Sequence, residues 1–191
     1  HDLIGRMTEV LAHRGPDDSG LHESDYRLRP PYEPQPGVAL GHRRLAIIDI
    51  EGGRQPMSNE DNSVWIVFNG EIYNYRALRS GDVEWETTSD TEVVSQGLFT
   101  RGPEFLSECN GMFALAWLDP SERRVVLARD RLGKKPLYVW RTHEMVAFAS
   151  EPKALIALGM PTQIDPRAEA FYHLMGYVPG SLSWFAHATR V

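Results

Sequence analysis

The apolar patterning of this chain predicts an α+β protein built on antiparallel sheet. Three observations carry the expectation. The second half holds strand–turn–strand units: Gly111 to Leu118 runs through the turn Asp119-Pro120-Ser121-Glu122 into Arg124 to Arg129, and Leu137 to Trp140 joins Met145 to Ala149 around Thr142-His143-Glu144. These runs are apolar at most positions, the mark of sheets covered on both faces. Helical signals near both ends of the chain can supply that cover.

Taken in order, Leu3, Ile4, Met7, Val10 and Leu11 share one helical face, with Arg6 and Glu9 on the other. His13 to Gly20 is dense in turn formers and reads as a rigid corner, at which Arg14 and Asp17 can pair and line a site. Four prolines, Pro30, Pro31, Pro34 and Pro36, make Arg29 to Gly37 an exposed loop. Val38 to Ile48 reads as a long strand ending near Asp49. Arg43 and Arg44 must then point to opposite faces of it, so one turns toward the interior or a pocket. A buried guanidinium needs a carboxylate partner, which a structural ion pair or a ligand can provide.

Ser89 with Glu92 fits a capping box ahead of the helix Val93 to Thr100. Asp90 then falls in the first turn, where the positive helix end favours its ionised form. Capping alone accounts for both residues. Ser150 is expected to cap a short helix with Pro152 in its first turn, and Asp165-Pro166 to start a last helix through Met175. Gly176 to Val191 shows no periodicity and reads as a linker.

A chain of 191 residues with 42% hydrophobic residues is expected to fold as one domain with a real core. The net charge of -6 and the lack of a long basic run argue against nucleic acid as a partner. No apolar run is long enough to span a bilayer, and no membrane partner is expected. The single cysteine, Cys109, excludes an intrachain disulfide and points to a reducing, cytoplasmic setting. It precedes an apolar strand with no base nearby, so it reads as a packed residue and not a nucleophile. His13 and His42 read as local hydrogen-bonding residues. No metal-ligand spacing or phosphate loop is visible.

The chemistry concentrates in Phe68-Asn69-Gly70-Glu71-Ile72-Tyr73-Asn74-Tyr75. It closes the apolar run Val64 to Phe68, and Tyr75 to Arg79 resembles a helical turn. That leaves no room for the return strand an Asn-Gly hairpin needs. The expected arrangement is a strand end presenting an amide, an unhindered N–H and a carboxylate in succession. Such a set can stabilise an oxyanion and hold an ammonium group, and a plain polar loop is the alternative.

Seven segments in order, His13–Gly20, Gly41–Asp49, Phe68–Tyr75, Ser89–Val93, Asn110–Asp119, Ala128–Tyr138 and Phe148–Leu155, resemble the glutaminase domain of glutamine-hydrolysing asparagine synthetases, which are class II glutamine amidotransferases. The resemblance implies an N-terminal-nucleophile hydrolase fold, a four-layer αββα sandwich with two antiparallel sheets, over residues 1–160. Residues 161–191 would begin the linker and helix leading to a synthetase domain. By the same resemblance Arg44 grips the α-carboxylate of glutamine, and Glu71 and Asp90 hold its α-ammonium. Asn69 and the Gly70 N–H form the oxyanion hole, and Leu45, Ile47 and Ile48 line the pocket.

The implied reaction is hydrolysis of glutamine to glutamate and ammonia. The ammonia would serve ATP-dependent amidation of aspartate by the C-terminal synthetase domain of the same chain. No cofactor is expected in the glutaminase part, ATP and Mg are expected in the synthetase part, and a homodimer is compatible with the family. One departure stands out. The family's nucleophile is a cysteine at the mature N-terminus, whereas this chain opens at His1, so on its own it is expected to be inactive. The connection Arg79 to Asp82 also looks shorter than in the family. A truncated enzyme part is favoured over a catalytically dead module that senses glutamine or binds a partner, because a dead domain has no reason to keep Arg44, Asn69, Gly70, Glu71 and Asp90 together.

Overall fold

The computed structural model describes residues 2–24, 37–46, 49, 52–79, 81 and 83–191. The body of the expected proline loop, the expected pocket residues Ile47 and Ile48, and Ser80 and Asp82 of the short connection lie outside them. The central sheet has four antiparallel strands in the order β3 (Met57–Ser58), β4 (Trp65–Ile72), β5 (Gly111–Asp119) and β6 (Arg124–Arg129). A second pair joins β1 (Asp18–Ser24) to β2 (Val38–Arg44), also antiparallel. A three-stranded sheet places β7 (Tyr138–Arg141) between β8 (Val146–Ala149) and β9 (Ala188–Arg190).

Strand alternation on β4 assigns the layers. Ile66, Phe68 and Ile72 share a core with Val93, Val94 and Leu98 of the helix α3 (Asp90–Arg101). Val67, on the opposite face, packs with Leu40 of β2 and is joined by Phe148 of β8. Beyond the smaller sheets lie α1 (Asp2–Glu9) and α4 (Pro152–Leu158), whose Met7, Ala154 and Leu155 pack against Trp140 and Ala149. The order is helix, sheet, sheets, helices, as the αββα expectation requires. Ile66 and Leu98 are completely buried, and such burial contributes about 1.5–3 kcal/mol per side chain.

Several local expectations are corrected. β4 does not end at Phe68: it runs on to Ile72, with Asn69, Gly70 and Glu71 opposite Ala114, Phe113 and Met112. The long apolar β5 continues the ladder past the Asn-Gly step, and Gly70 permits it. A Cβ there would lie 2.1 Å from the Met112 carbonyl oxygen. β2 stops at Arg44, because the Ala46 N–H leaves the ladder for the Asp17 carboxylate at 2.9 Å.

The capping box is half formed. Ser89 Oγ accepts the Thr91 N–H at 3.1 Å, but the Glu92 carboxylate accepts the N–H groups of Glu86 and Thr87 instead of that of Ser89. The cap of α4 is Glu151, not Ser150. The last helix, α5 (Pro166–Met175), starts as expected, with Asp165 accepting the Arg167 N–H at 2.8 Å. Within the stretch read as a linker, β9 pairs with β7, and Phe185 packs against the core beneath α4.

Candidate active site

Backbone alternation makes the β4 edge the natural starting point. The β3 strand covers that edge only as far as Trp65 and Ile66. Beyond it, the N–H groups of Phe68, Gly70 and Ile72 turn to the same side, which no other strand of the described residues covers. Phe68 N–H donates to Gln55 Oε1 at 2.6 Å, and Ile72 N–H donates to Asp90 Oδ2 at 2.8 Å. The Gly70 N–H lies between these two anchored donors, with no side chain of its own in front of it. Among the described residues, this stretch of strand is left with one donor presented to a cavity of about 200 Å³.

Arg44, Leu45, Asn69, Gly70, Glu71 and Asp90 all line that cavity, six of the eight residues expected there. They come from three segments far apart in sequence. Arg44 is buried at 7% exposure while its neighbour Arg43 is half-buried, tied to Glu9 at 2.7 Å and to the Thr8 carbonyl at 3.2 Å. Arg44 therefore is the inward arginine, although Arg43 also reaches the cavity rim. The Arg44 guanidinium donates to the backbone carbonyl of Asp49.

Asp49, in the left-handed region at φ 49°, connects two sides of the cavity. Its carboxylate accepts the Thr88 N–H at 2.7 Å, the Thr88 hydroxyl at 3.0 Å and the Gly52 N–H at 2.8 Å. The backbone donors of Thr88 and Gly52 hold its carboxyl below the usual range. The loop that orients Arg44 is thus fastened to the start of α3, two residues before Asp90.

The two cavity carboxylates shift the other way. Burial pushes Glu71 up, the Asp90 charge pushes it further, and Lys135 opposes both. Burial likewise raises Asp90, against the pull of the Ile72 and Thr91 N–H groups. Lys135 reaches the cavity because the Asp130 carboxylate gathers the N–H groups of Leu132, Lys134 and Lys135 at 3.1, 2.9 and 3.0 Å, closing that loop. Arg44 and Lys135 so face one space with Glu71 and Asp90, while Arg14 and Arg43, which also line it, are tied to Glu151 and Glu9. That charge pattern suits a zwitterion.

A larger apolar cavity of about 270 Å³ adjoins it, reaching from Leu3, Ile4 and Met7 of α1 to Val67 and Ala116. The two share Arg14, His42, Arg43, Phe68 and Asn69. His42 is held neutral: burial first, then the Arg44 charge, lower its pKa to about 4. Arg14 does not pair with Asp17; its guanidinium donates to Glu151 at 2.9 Å, and His13 shares the same carboxylate oxygen at 3.1 Å. Cys109 is 1% exposed in the α3 core, and burial raises its thiol to about 11. It is a packed residue, as expected. Among the described residues no group of three or more His, Cys, Asp or Glu is arranged to hold a metal ion.

Lys135 and Gln55 are the site residues that sequence reasoning missed. Lys135 sits in an ordinary Gly-Lys-Lys turn, and the useful signal was Asp130 ahead of a glycine turn, able to gather successive N–H groups. Gln55, before Pro56, carried no signal of its own.

The layers and the cavity define an amidotransferase of the N-terminal-nucleophile hydrolase type. The model of the glutamine amidotransferase domain family matches residues 1–191, and the chain belongs to that family. It is 37% identical over 194 residues to glutamine-hydrolysing asparagine synthetase 1 of Bacillus subtilis (strain 168), covering 100% of this chain and 29% of that protein. Glutamine-hydrolysing asparagine synthetase B of Escherichia coli (strain K12) is 39% identical over 154 residues, covering 78% of this chain and 26% of that one. Among solved structures, glutamine phosphoribosylpyrophosphate amidotransferase from B. subtilis, complexed with ADP and GMP, aligns with a TM-score of 0.53 and 26% identity, over 64% of this chain and 29% of its own. The chain thus spans under a third of the length of these relatives.

Proposed function

We propose that this cavity binds glutamine and is the glutaminase site of a larger asparagine synthetase-type enzyme. The observation that carries the reading is the convergence of Arg44, Glu71 and Asp90 around the free edge of β4 at Asn69 and Gly70. Arg44 clamps the α-carboxylate, and Glu71 with Asp90 holds the α-ammonium, which fixes the side chain against the strand edge. The carboxamide oxygen then faces the Asn69 amide and the Gly70 N–H. These donors act most strongly when the oxygen acquires charge in the tetrahedral intermediate.

Chemistry at that carbon needs a thiolate. It attacks the amide carbon, the C–N bond breaks, ammonia leaves with a proton, and water hydrolyses the resulting thioester to glutamate. Cys109 is unsuited to this role, buried behind α3 with a raised pKa. The reaction needs a thiol other than Cys109, and the apolar cavity that meets the site at Asn69 suits an extended segment carrying one. Within the whole enzyme, the ammonia feeds amidation of aspartate, with ATP and Mg bound in a further domain. The setting we propose is the cytoplasm, which a single, unpaired cysteine suits.

Ammonia release from glutamine tests the reading in two arms. The 191-residue chain alone is expected to release none, and Cys109→Ser to change nothing in a version bearing the nucleophile. In that version Asn69→Ala is expected to lower kcat by about 10²–10³, the usual cost of one oxyanion donor, with KM little altered. Turnover by the 191-residue chain that Cys109→Ser abolishes would overturn the reading. So would an Asn69→Ala variant with full kcat.

A further inference from the structure

The β3–β4 pairing stops where the oxyanion donors begin. Met57 faces Ile66 and Ser58 faces Trp65, so two residues back Gln55 falls opposite Phe68. Pro56 in between has no N–H to offer a ladder. Gln55 meets Phe68 with its side chain instead. Its Oε1 accepts the Phe68 N–H at 2.6 Å and its Nε2 donates to the Phe68 carbonyl at 3.0 Å. This doubly bonded exchange is what a strand residue gives its antiparallel partner. Nε2 also lies 3.4 Å from Thr91 Oγ1 in the first turn of α3.

We propose that Gln55 is a positioning residue for glutamine hydrolysis: its carboxamide replaces the missing strand and fixes the plane of Phe68, and through it the aim of Asn69 and Gly70. A backbone ladder continued two residues past this point, to Gly53, would cover the Gly70 N–H as well. A single side-chain amide holds Phe68 and stops there, leaving the next donor on that edge available to substrate. Asp90 performs the matching task at Ile72, so the available N–H is bracketed on both sides. The arrangement explains how an edge can be rigid and unpaired at once. Gln55 contacts no reacting atom in this account and acts through Phe68.

The inference rests on reading Asn69 and Gly70 as the oxyanion hole, and the experiment separates the two. In the full-length, nucleophile-bearing protein, Gln55→Leu is compared with Asn69→Ala. Gln55→Leu is expected to lower kcat about tenfold or more, since a donor displaced by a fraction of an ångström loses much of its effect, while KM stays within about twofold. The γ-aldehyde analogue of glutamine, which a thiolate converts into a tetrahedral adduct, should lose affinity by the same factor as kcat. Affinity for glutamate, which forms no such adduct, should be unchanged and certifies an intact pocket. Should Gln55→Leu not fold, Gln55→Asn, one methylene too short to span both bonds, is measured the same way. Unchanged kcat in the Gln55 variant alongside a slow Asn69→Ala would overturn this proposal alone. So would a kcat loss matched by lost glutamate affinity. An Asn69→Ala variant with full kcat would overturn the oxyanion reading beneath it.

Discussion

Gly53→Ala offers a way to disturb substrate recognition without removing a charge or a hydrogen-bonding group. Gly53 is buried in the cavity wall, and its N–H donates to the Asp49 carbonyl at 2.9 Å, the same oxygen that accepts from Arg44. A Cβ at this position would stand 2.4 Å from Arg44 Nη2, 3.2 Å from its Cζ and 2.8 Å from the Asp49 oxygen. Carbon–nitrogen contacts settle near 3.5 Å, so the guanidinium must retreat by about 1 Å. It cannot keep both its bond to Asp49 and a bidentate hold on a carboxylate. Losing the charge-assisted geometry is worth about 1.5–3 kcal/mol, which corresponds to a KM for glutamine about ten- to a hundredfold higher. The added methyl also crowds backbone, at about 1–3 kcal/mol of stability. Because Asn69 and Gly70 are untouched, kcat at saturation should hold within a few-fold. The assay is ammonia release against glutamine concentration in the nucleophile-bearing protein, with a thermal melt to certify folding. A folded Gly53→Ala variant with unaltered KM would refute the assignment of Arg44 to the α-carboxylate.

Two further outcomes follow from the titrating groups. An ammonium site needs Glu71 and Asp90 ionised, and both carboxyls are raised by burial, so kcat/KM for glutamine should fall as pH drops through a region above the ordinary carboxylate range. Asp90→Asn removes the charge that raises Glu71, so this acid limb should move to lower pH while KM at neutral pH increases; a limb that stays in place would sink the coupling. Glu151 behaves oppositely: burial pushes it up, but hydrogen bonds from Arg14, Lys153 and His13 bring it down to about 2. Its contribution to stability is present above its unfolded value near 4.5 and disappears as pH falls toward 2. Glu151→Gln should therefore lower stability at pH 7 by on the order of 1–2 kcal/mol after solvent screening, read as a lower melting temperature. The difference from the parent should vanish near pH 2, and an equal difference at both pH values would count against it.

Much of this protein was legible in its residues. Local rules determine α5, where Asp165 caps and Pro166 leads, and the hairpin of β5 and β6, whose apolar runs flank a Pro-containing turn. The same rules mark one of Arg43 and Arg44 as inward, since strand geometry sends neighbours to opposite faces. Tertiary contacts decided the rest, because they depend on partners distant in sequence. Asn69, Gly70 and Glu71 became strand because β5 was there to pair with them. The tail from Gly176, aperiodic and strand-poor, supplies β9 because β7 offered a free edge. Glu92 turned from its capping box to the N–H groups of Glu86 and Thr87, which only the folded loop brings within reach. The site divides in the same way. Its charged and amide residue types are written in the chain, but the availability of the Gly70 N–H depends on where β3 stops and on the side chains of Gln55 and Asp90. Hydrophobic period and turn chemistry act over a few residues, whereas the choice of which backbone donor stays unpaired is made by the whole sheet.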